Sequence, residues 1–218
     1  MSVGKVTKTG TGTVIHKEQN TIYIDKPNSI VTKTLGPRPG SDNVIQLIPK
    51  WLEAYKIFQT INPYVVKVKE LKSPNTFTME YVPNLGTVDQ WLQGRRYIDG
   101  KYQQHTITRL ELLELTKCIM SVIPSSIEMS KVLDTIDDGI YSRHGKHSLW
   151  VNSDVHIHNI LVVAEGENPS FKIIDPDSWW IWNDANYSKE ETQPNLLDQI
   201  RRMNTMITNV INDRANLY

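Results

Sequence analysis

Three polar side chains between residues 154 and 175 could do chemistry if they met at one point. Asp154 and Asn159 are five positions apart, and Asp175 follows sixteen positions later. A carboxylate can take the proton from an attacking hydroxyl group, and a second carboxylate with an amide oxygen can hold Mg²⁺. These groups would suit phosphoryl transfer, provided that the intervening chain brings them together.

Two short apolar segments lie between Asn159 and Asp175. Residues 160–163 are continuously apolar, residues 171–174 are mainly β-branched and aromatic, and the connector of residues 164–170 is rich in turn formers. Such segments, bounded by turn formers, are typical of buried strands. The sequence therefore predicts a hairpin that holds the three polar side chains near one another.

The motif around Asp154 resembles the catalytic loop of the protein-kinase-like superfamily, in which Asp-x-x-x-x-Asn precedes a strand pair that ends in a metal-binding Asp. Residues 154–159 read Asp-Val-His-Ile-His-Asn, which is similar to the Asp-x-His-x-x-Asn of aminoglycoside and choline kinases. Residues 175–179 read Asp-Pro-Asp-Ser-Trp, which is similar to the early serine/threonine kinases of podoviruses. The resemblance extends over about residues 10–182.

This resemblance implies roles for four residues of the motif. Asp154 would be the catalytic base or would orient the acceptor hydroxyl group. Asn159 and Asp175 would bind Mg²⁺, and Asp177 would assist them. The implied phosphoryl donor is ATP, and the implied acceptors are serine or threonine side chains of host bacterial proteins.

Residues near the N-terminus supply the implied phosphate contacts. Gly10 and Gly12 would let backbone amide groups approach the phosphates closely, although a plain turn explains the same glycines. Lys33 ends the segment Ile-Val-Thr-Lys, which resembles the strand of kinases whose lysine neutralises the α- and β-phosphates. The alternative for Lys33 is an edge-strand lysine on a solvated face.

Two further contacts follow from the same resemblance. Glu53 is the expected partner of Lys33, although at 100° per residue it lies nearly opposite the apolar stripe of its predicted helix. The segment Met-Glu-Tyr-Val, just before Pro83, resembles a kinase hinge, in which the backbone of Glu80 and Val82 would meet the adenine edge.

The order of predicted elements favours an α+β fold with two lobes. Strands are predicted at residues 11–16, 21–24, 29–35, 64–71 and 77–82, with one helix between the third and the fourth. Helices are predicted at residues 85–92, 110–123, 127–140 and 194–217, and a surface loop at residues 93–108. We therefore expect a bilobal, protein-kinase-like fold. A small β-rich N-lobe would comprise residues 1–82, a short helical C-lobe would comprise residues 83–218, and nucleotide would bind between them.

Composition argues against several classes of partner. The 218 residues contain 24 Lys plus Arg and 24 Asp plus Glu, so the net charge is zero and nothing indicates nucleic acid as a partner. No apolar segment approaches the roughly 20 residues that span a bilayer. The single Cys118 lies in an apolar helical pattern, which predicts a packed thiol and favours a reducing cytoplasm.

Other functions fit parts of the same pattern. The Asp-x-His-x-x-Asn form allows a small-molecule phosphotransferase of the aminoglycoside or choline kinase type. The missing third glycine, replaced by Ile15, and the short second lobe allow a kinase-shaped binding module without catalysis. Asp154, His156 and His158 could instead be ligands of a metal hydrolase, since carboxylate and imidazole groups both bind transition metals.

Overall fold

The chain divides into two compact units. Unit 1 comprises Met1–Thr60 and Val66–Val82, and unit 2 comprises Ile61–Val65 and Pro83–Tyr218. The structure is a computed structural model. It describes residues 5–10, 12–17, 20–36, 52, 55–56, 58–98, 101–122, 124–125, 149–152, 156–165, 168–175, 179–182, 201, 205, 208 and 212.

A six-stranded antiparallel sheet forms the centre of unit 1. Its strands are β1 (Lys5–Lys8), β2 (Thr13–Lys17), β3 (Asn20–Asp25), β4 (Ile30–Thr34), β5 (Val68–Ser73) and β6 (Thr76–Glu80). Their spatial order is β1-β2-β3-β4-β6-β5, so β4 is an inner strand paired with β3 and β6. The turn before β4 is closed by Asp25, whose carboxylate accepts the N–H of Asn28 at 3.2 Å, as short polar side chains do in turns.

Five of these six strands were predicted, and β1 was not. The four residues of β1 are all exposed and mostly polar, so they carry no apolar alternation that would mark a strand. The strand pairs Val6 with Ile15 and adds an outer edge to the sheet. As a result, Gly10 and Gly12 lie in a turn between two strands and not at the start of the first strand.

Unit 1 has an apolar core that includes a helical segment. The described residues 52, 55–56 and 58–61 are helical. Leu52, Tyr55 and Phe58 are buried, whereas Ile61 is exposed. The Tyr55 hydroxyl group donates to the carbonyl of Val66 at 2.9 Å, which anchors this segment to the chain leading into β5.

Unit 2 contains three two-stranded sheets, and two of its α-helices are described along their length. The strands pair as β7 (Arg95–Ile98) with β8 (Lys101–Gln104), β9 (Leu149–Asn152) with β12 (Trp179–Trp182), and β10 (Ile160–Glu165) with β11 (Asn168–Ile173). The helices are α1 (Val88–Leu92) and α2 (Arg109–Met120). The protein is therefore mixed α+β, as predicted, but the described part of unit 2 is richer in strands than expected.

The predicted surface loop at residues 93–108 is wrong, because β7 and β8 form a hairpin there. The dipeptide Asp99-Gly100 stands between the two strands, and Asp-Gly is a strong sequence signal for a hairpin turn. The hairpin is attached to the start of α2 through Glu111, which lies 2.6 Å from Nη2 of Arg96 and 3.0 Å from Nε2 of His105.

The remaining predicted helices are described only in part. The predicted helix at residues 127–140 lies outside the described residues. In the predicted C-terminal helix, Arg201, Thr205, Thr208 and Asn212 are helical and exposed. Within the described part of the chain, the structure contains no helix with the length and apolar character needed to cross a membrane.

Candidate active site

A single turn of 3-10 helix, Ile157–Asn159, carries the first candidate metal ligand. The turn begins at His156, whose Nδ1 accepts the backbone N–H of His158 at 3.2 Å. The carbonyl of His156 accepts the N–H of Asn159 at 2.8 Å. Asn159 is consequently held at the end of the turn, where only 6% of the residue is exposed.

Asp175 is held beside this turn by the other strand of the β10–β11 hairpin. Ile160 pairs with Ile173 at the open end of the hairpin, and the N–H of Ile174 donates to the carbonyl of Asn159 at 2.8 Å. Asp175 is the next residue, and its φ of 68° lies in the left-handed region, which Asp tolerates better than most residues. The hairpin therefore brings the backbones of Asn159 and Asp175 to one end, as the sequence predicts.

A packed apolar layer fixes the hairpin behind this end. Phe171 pairs with Val162, and both residues are buried. The ring of Trp91 in α1 meets the ring of Phe171 edge-on at 5.5 Å, and the buried residue Leu115 lies in α2, which packs against β11. Two helices thus support the strands that carry the candidate ligands.

The chemistry of the two side chains fits a hard divalent cation. The amide oxygen of Asn159 and the carboxylate of Asp175 are the oxygen donors that Mg²⁺ prefers. No protein-family model and no curated protein matches this chain. The assignment of these residues therefore depends on their own geometry and chemistry, together with the motif in the sequence.

The two histidines of the motif are engaged within unit 2. Nδ1 of His156 accepts a backbone N–H group, and Nδ1 of His158 lies 3.5 Å from a carboxylate oxygen of Asp89 in α1. Among the described residues, no three His, Cys, Asp or Glu side chains are grouped so that they could hold a metal ion. Asp154, the third ligand of the metal-hydrolase alternative, lies outside the described residues, so this alternative stays a prediction.

Lys33 is a buried residue of an inner strand. It pairs with Ile22 of β3 on one side and with Phe77 of β6 on the other, and only 4% of it is exposed. A lysine on the solvated face of an edge strand, which is the alternative stated above, is therefore excluded. Burial of an ammonium group is costly without compensation, so lysines at such positions usually have a specific role.

The structure does not bring Gly10 and Gly12 next to Lys33. The register joins Thr13, which follows Gly12, to Ile24 and then to Val31, which is two residues before Lys33. Strand and residue spacings place Gly12 about 10 Å across the sheet and about 10 Å along it from Lys33. The end of β4 at Thr34 lies on the same side of the sheet as the hairpin turn that joins β2 to β3. The sequence of that turn contains no glycine.

Packing explains Gly12 by itself. A Cβ atom at this position would lie 2.5 Å from the carbonyl oxygen of Ile24 and 2.7 Å from the ring of Tyr23. In the same turn, the N–H and the hydroxyl group of Thr9 both donate to the carbonyl of Gly12, at 2.9 and 3.1 Å. The glycine is thus required by the close approach of β3, which agrees with the plain-turn alternative.

The candidate hinge lies at the end of β6. The N–H of Glu80 donates to the carbonyl of Lys67 at 2.8 Å, and the N–H of Tyr81 donates to the carbonyl of Ser29 at 3.1 Å. The Glu80 carboxylate accepts the N–H of Lys67 at 2.9 Å, and Val82 is buried. Glu80 thus ties the strand end to the chain before β5, and contact with adenine at Glu80 and Val82 stays a prediction.

Three candidate residues lie outside the described residues: Asp154, Glu53 and Asp177. The roles of Asp154 as base and of Asp177 as an assisting ligand therefore stay predictions, as does the pairing of Glu53 with Lys33.

Two features of unit 2 were missed in the sequence. The first is the capping role of His156, which depends on a bond between a side chain and the backbone two residues later. The second is Glu111, which accepts the N–H of Thr108 at 2.6 Å and binds Arg96 and His105. The pattern Thr-x-x-Glu before an apolar helix is a capping-box signal, and it could have identified Glu111.

Burial changes the acidity of two groups that pack near β11. Burial raises the pKa of the Cys118 thiol, so that the thiol stays protonated, which confirms the prediction of a packed cysteine. Desolvation, followed by the hydrogen bond to Glu114 at 2.7 Å, raises the pKa of Tyr64 to about 12. Neither group is suited to act as a nucleophile near neutral pH.

Proposed function

We propose that this protein is an ATP- and Mg²⁺-dependent phosphotransferase of the protein-kinase-like type. The observation that carries the proposal is the meeting of Asn159 and Asp175 at one end of the β10–β11 hairpin, joined by the bond from Ile174 to Asn159. Asn159 and Asp175 supply oxygen donors and follow Asp154 by five and twenty-one positions in the sequence. This order fits that of a catalytic loop followed by a metal-binding Asp.

Each candidate residue has a defined task in this reaction. The carboxylate of Asp154 takes the proton of the acceptor hydroxyl group while that oxygen bonds to the γ-phosphorus and the bond to ADP breaks. The Lys33 ammonium group neutralises phosphate oxygens as negative charge develops on them. Asn159 and Asp175 would hold Mg²⁺, which when bound neutralises charge on the phosphates. Asp177 would complete the oxygen ligands.

The burial of Lys33 supports the same proposal. A cation fixed on an inner strand keeps its position without help from solvent, and a preorganised charge stabilises a transition state better than one that must reorganise.

The proposed acceptor is a serine or threonine of a protein, in keeping with the resemblance of residues 175–179 to podoviral kinases. Host bacterial proteins in the cytoplasm are the corresponding targets. A small hydroxyl compound is the second candidate, because residues 154–159 have the Asp-x-His-x-x-Asn form.

A kinase-shaped binding module is the competing proposal, and one observation favours it. Gly12 is explained by packing against Tyr23, and its turn lies away from Lys33, so unit 1 lacks a glycine turn beside the lysine among the described residues. A module of this kind would retain the fold and bind a partner without transferring phosphate.

Paired substitutions of the two aspartates test the proposal. ATP with Mg²⁺ at a hundredfold excess over Kd should stabilise the folded protein by about 2.7 kcal/mol, which is a melting shift of several degrees. Asp154→Asn should keep this shift and lose transfer of label from γ-labelled ATP to a host lysate or to the protein itself. Asp175→Asn should reduce both the shift and the transfer.

Asp25→Asn is the matched control, because the same chemical change is made in a turn of unit 1 where an amide oxygen can still accept the Asn28 N–H group. It should behave as wild type in both measurements. A wild-type protein that shifts but labels nothing would favour the binding module. A wild-type protein with no shift would refute the nucleotide-dependent function.

A further inference from the structure

We infer that His156 is a positioning residue, whose imidazole sets the turn that presents Asn159 to the metal. The inference rests on the proposed function. It assigns His156 a role through the backbone and none in contact with substrate.

The hydrogen bond from the turn defines what His156 must supply. Nδ1 of His156 accepts the N–H of the residue two positions later, His158, at 3.2 Å. This is the bond that Asn and Asp make in an Asx turn. Nδ1 of histidine is separated from Cα by the same number of bonds as Oδ1 of asparagine, so the ring substitutes for the Asx acceptor. Nδ1 must be unprotonated to accept, which places the proton of a neutral ring on Nε2.

A series of bonds leads from this turn to Ile174, the residue before Asp175. The ring of His156 binds the N–H of His158, the carbonyl of His156 binds the N–H of Asn159, and the carbonyl of Asn159 binds the N–H of Ile174. Each bond is between neighbours in the turn or across the hairpin end. Loosening the first bond would therefore loosen both proposed metal ligands.

The surroundings of the ring also favour a fixed orientation. His156 and His158 are half-buried, and their rings meet edge-on with centroids 5.4 Å apart. Asp89, in the first turn of α1, lies 3.5 Å from Nδ1 of His158. A ring held between the turn and its neighbour loses little further freedom when the metal site forms.

Three substitutions separate the acceptor position from other properties of the side chain. His156→Asn keeps an acceptor at the δ position, His156→Gln moves it one bond further along the side chain, and His16→Gln makes the same change at an exposed position of β2. The measurement is the melting shift of the full-length protein at fixed ATP as Mg²⁺ is titrated, which gives the Mg²⁺ concentration at half effect. Label transfer is measured in parallel.

His156→Asn should need about the same Mg²⁺ concentration as wild type, within about twofold. His156→Gln should need about tenfold more, in line with the cost of losing a residue that orients a metal ligand. His16→Gln should match wild type. If His156→Gln does not fold, and His156→Asn folds and responds to Mg²⁺ as wild type does, the comparison of these two variants still supports the requirement for an acceptor at the δ position.

Two results would overturn the inference and leave the proposed function intact. One is a wild-type response to Mg²⁺ in His156→Gln, since the acceptor position would then be irrelevant. The other is an equal loss in His156→Asn and His156→Gln, since the ring itself would then be required. A wild-type protein that does not respond to ATP and Mg²⁺ would refute the proposed function and the inference together.

Discussion

Lys33 in unit 1 and Asp175 in unit 2 are held in place by different kinds of structure. Lys33 lies within a strand that has a hydrogen-bonded partner on each side, so its backbone is fixed by many equivalent bonds. Asp175 comes after the end of a strand in a left-handed conformation, and a single bond from Ile174 joins its neighbour to Asn159. The first position is defined by a sheet, and the second by a few individual groups.

This difference predicts how the two positions respond to change. A substitution at Lys33 alters the charge while the sheet keeps the backbone in place. A substitution near Asp175 should alter the backbone itself, because Asp175 lies beyond the paired strand in a left-handed conformation. Function should therefore be lost without loss of stability in unit 1, and through loss of geometry in unit 2.

The largest expected effect concerns the packing that underlies each region. Phe77 pairs with Lys33, Phe171 pairs with Val162, and both phenylalanines are essentially fully buried. Phe77→Ala and Phe171→Ala should each cost about 3–5 kcal/mol of unfolding free energy, because a large cavity replaces the ring. Urea unfolding measures this cost, with Phe→Leu at both positions as the milder control. A cost below about 1 kcal/mol for either alanine variant would show that its ring is not part of the core.

The next effect isolates the charge of Lys33. Lys33→Met keeps the length and the apolar stem of the side chain, and the pairing of β4 with β3 and β6 is made by the backbone, so the fold should persist. Label transfer should fall about hundredfold, because a fixed charge on the developing phosphoryl group is lost. A folded Lys33→Met protein with wild-type transfer would mean that Lys33 is not the phosphate-binding lysine.

The smallest effect lies at Tyr64, which donates to Glu114 and whose carbonyl accepts the N–H of Ile173. Its pKa is raised from 10.0 to about 12 by burial and by Glu114. Below pH 10 the tyrosine is protonated in both states and its contribution is complete. Between pH 10 and 12 the unfolded state ionises first, so stability is lost as the pH rises.

Tyr64→Phe should cost about 1 kcal/mol near pH 8, where the hydrogen bond is removed. The same variant should lose less stability than wild type between pH 10 and 12. The midpoints of urea unfolding at three pH values test this expectation. If the midpoints of the two proteins changed in parallel with pH, the raised pKa could not be assigned to Tyr64. Because the Tyr64 hydroxyl group is hydrogen-bonded to Glu114 of α2, the result also shows how firmly residues 61–65 are attached to the rest of unit 2.

The elements that could be predicted are those with an apolar signal. The β10–β11 hairpin and the strands β2 to β6 follow from alternating or continuous apolar residues between turn formers, and so does the α+β class. The strand β1 was missed because all four of its residues are exposed and give no such signal. The β7–β8 hairpin was missed because its polar residues outweighed the turn signal at Asp99-Gly100.

The backbone conformation and the capping hydrogen bond in the candidate site could be predicted less well than the strands, for a physical reason. The motif identifies Asn159 and Asp175, but the left-handed φ of Asp175 depends on where the strand ends, and Asp is not the residue that this conformation usually selects. The capping bond of His156 uses a ring nitrogen in place of the usual Asn or Asp oxygen, so the sequence gives no standard turn signal there. Such features arise from the tertiary structure and have no periodic pattern.

Glu111 ties together two elements of unit 2. Its carboxylate satisfies the N–H of Thr108 at the start of α2 and binds Arg96 of β7 together with His105. If the first turn of the helix opened, Arg96 and His105 would lose their hydrogen bonds to this carboxylate. If the hairpin detached, the Glu111 carboxylate at the helix start would lose these two partners. The first turn of α2 and the β7–β8 hairpin should therefore open as a single cooperative unit, with a shared free energy of opening for their amide hydrogens.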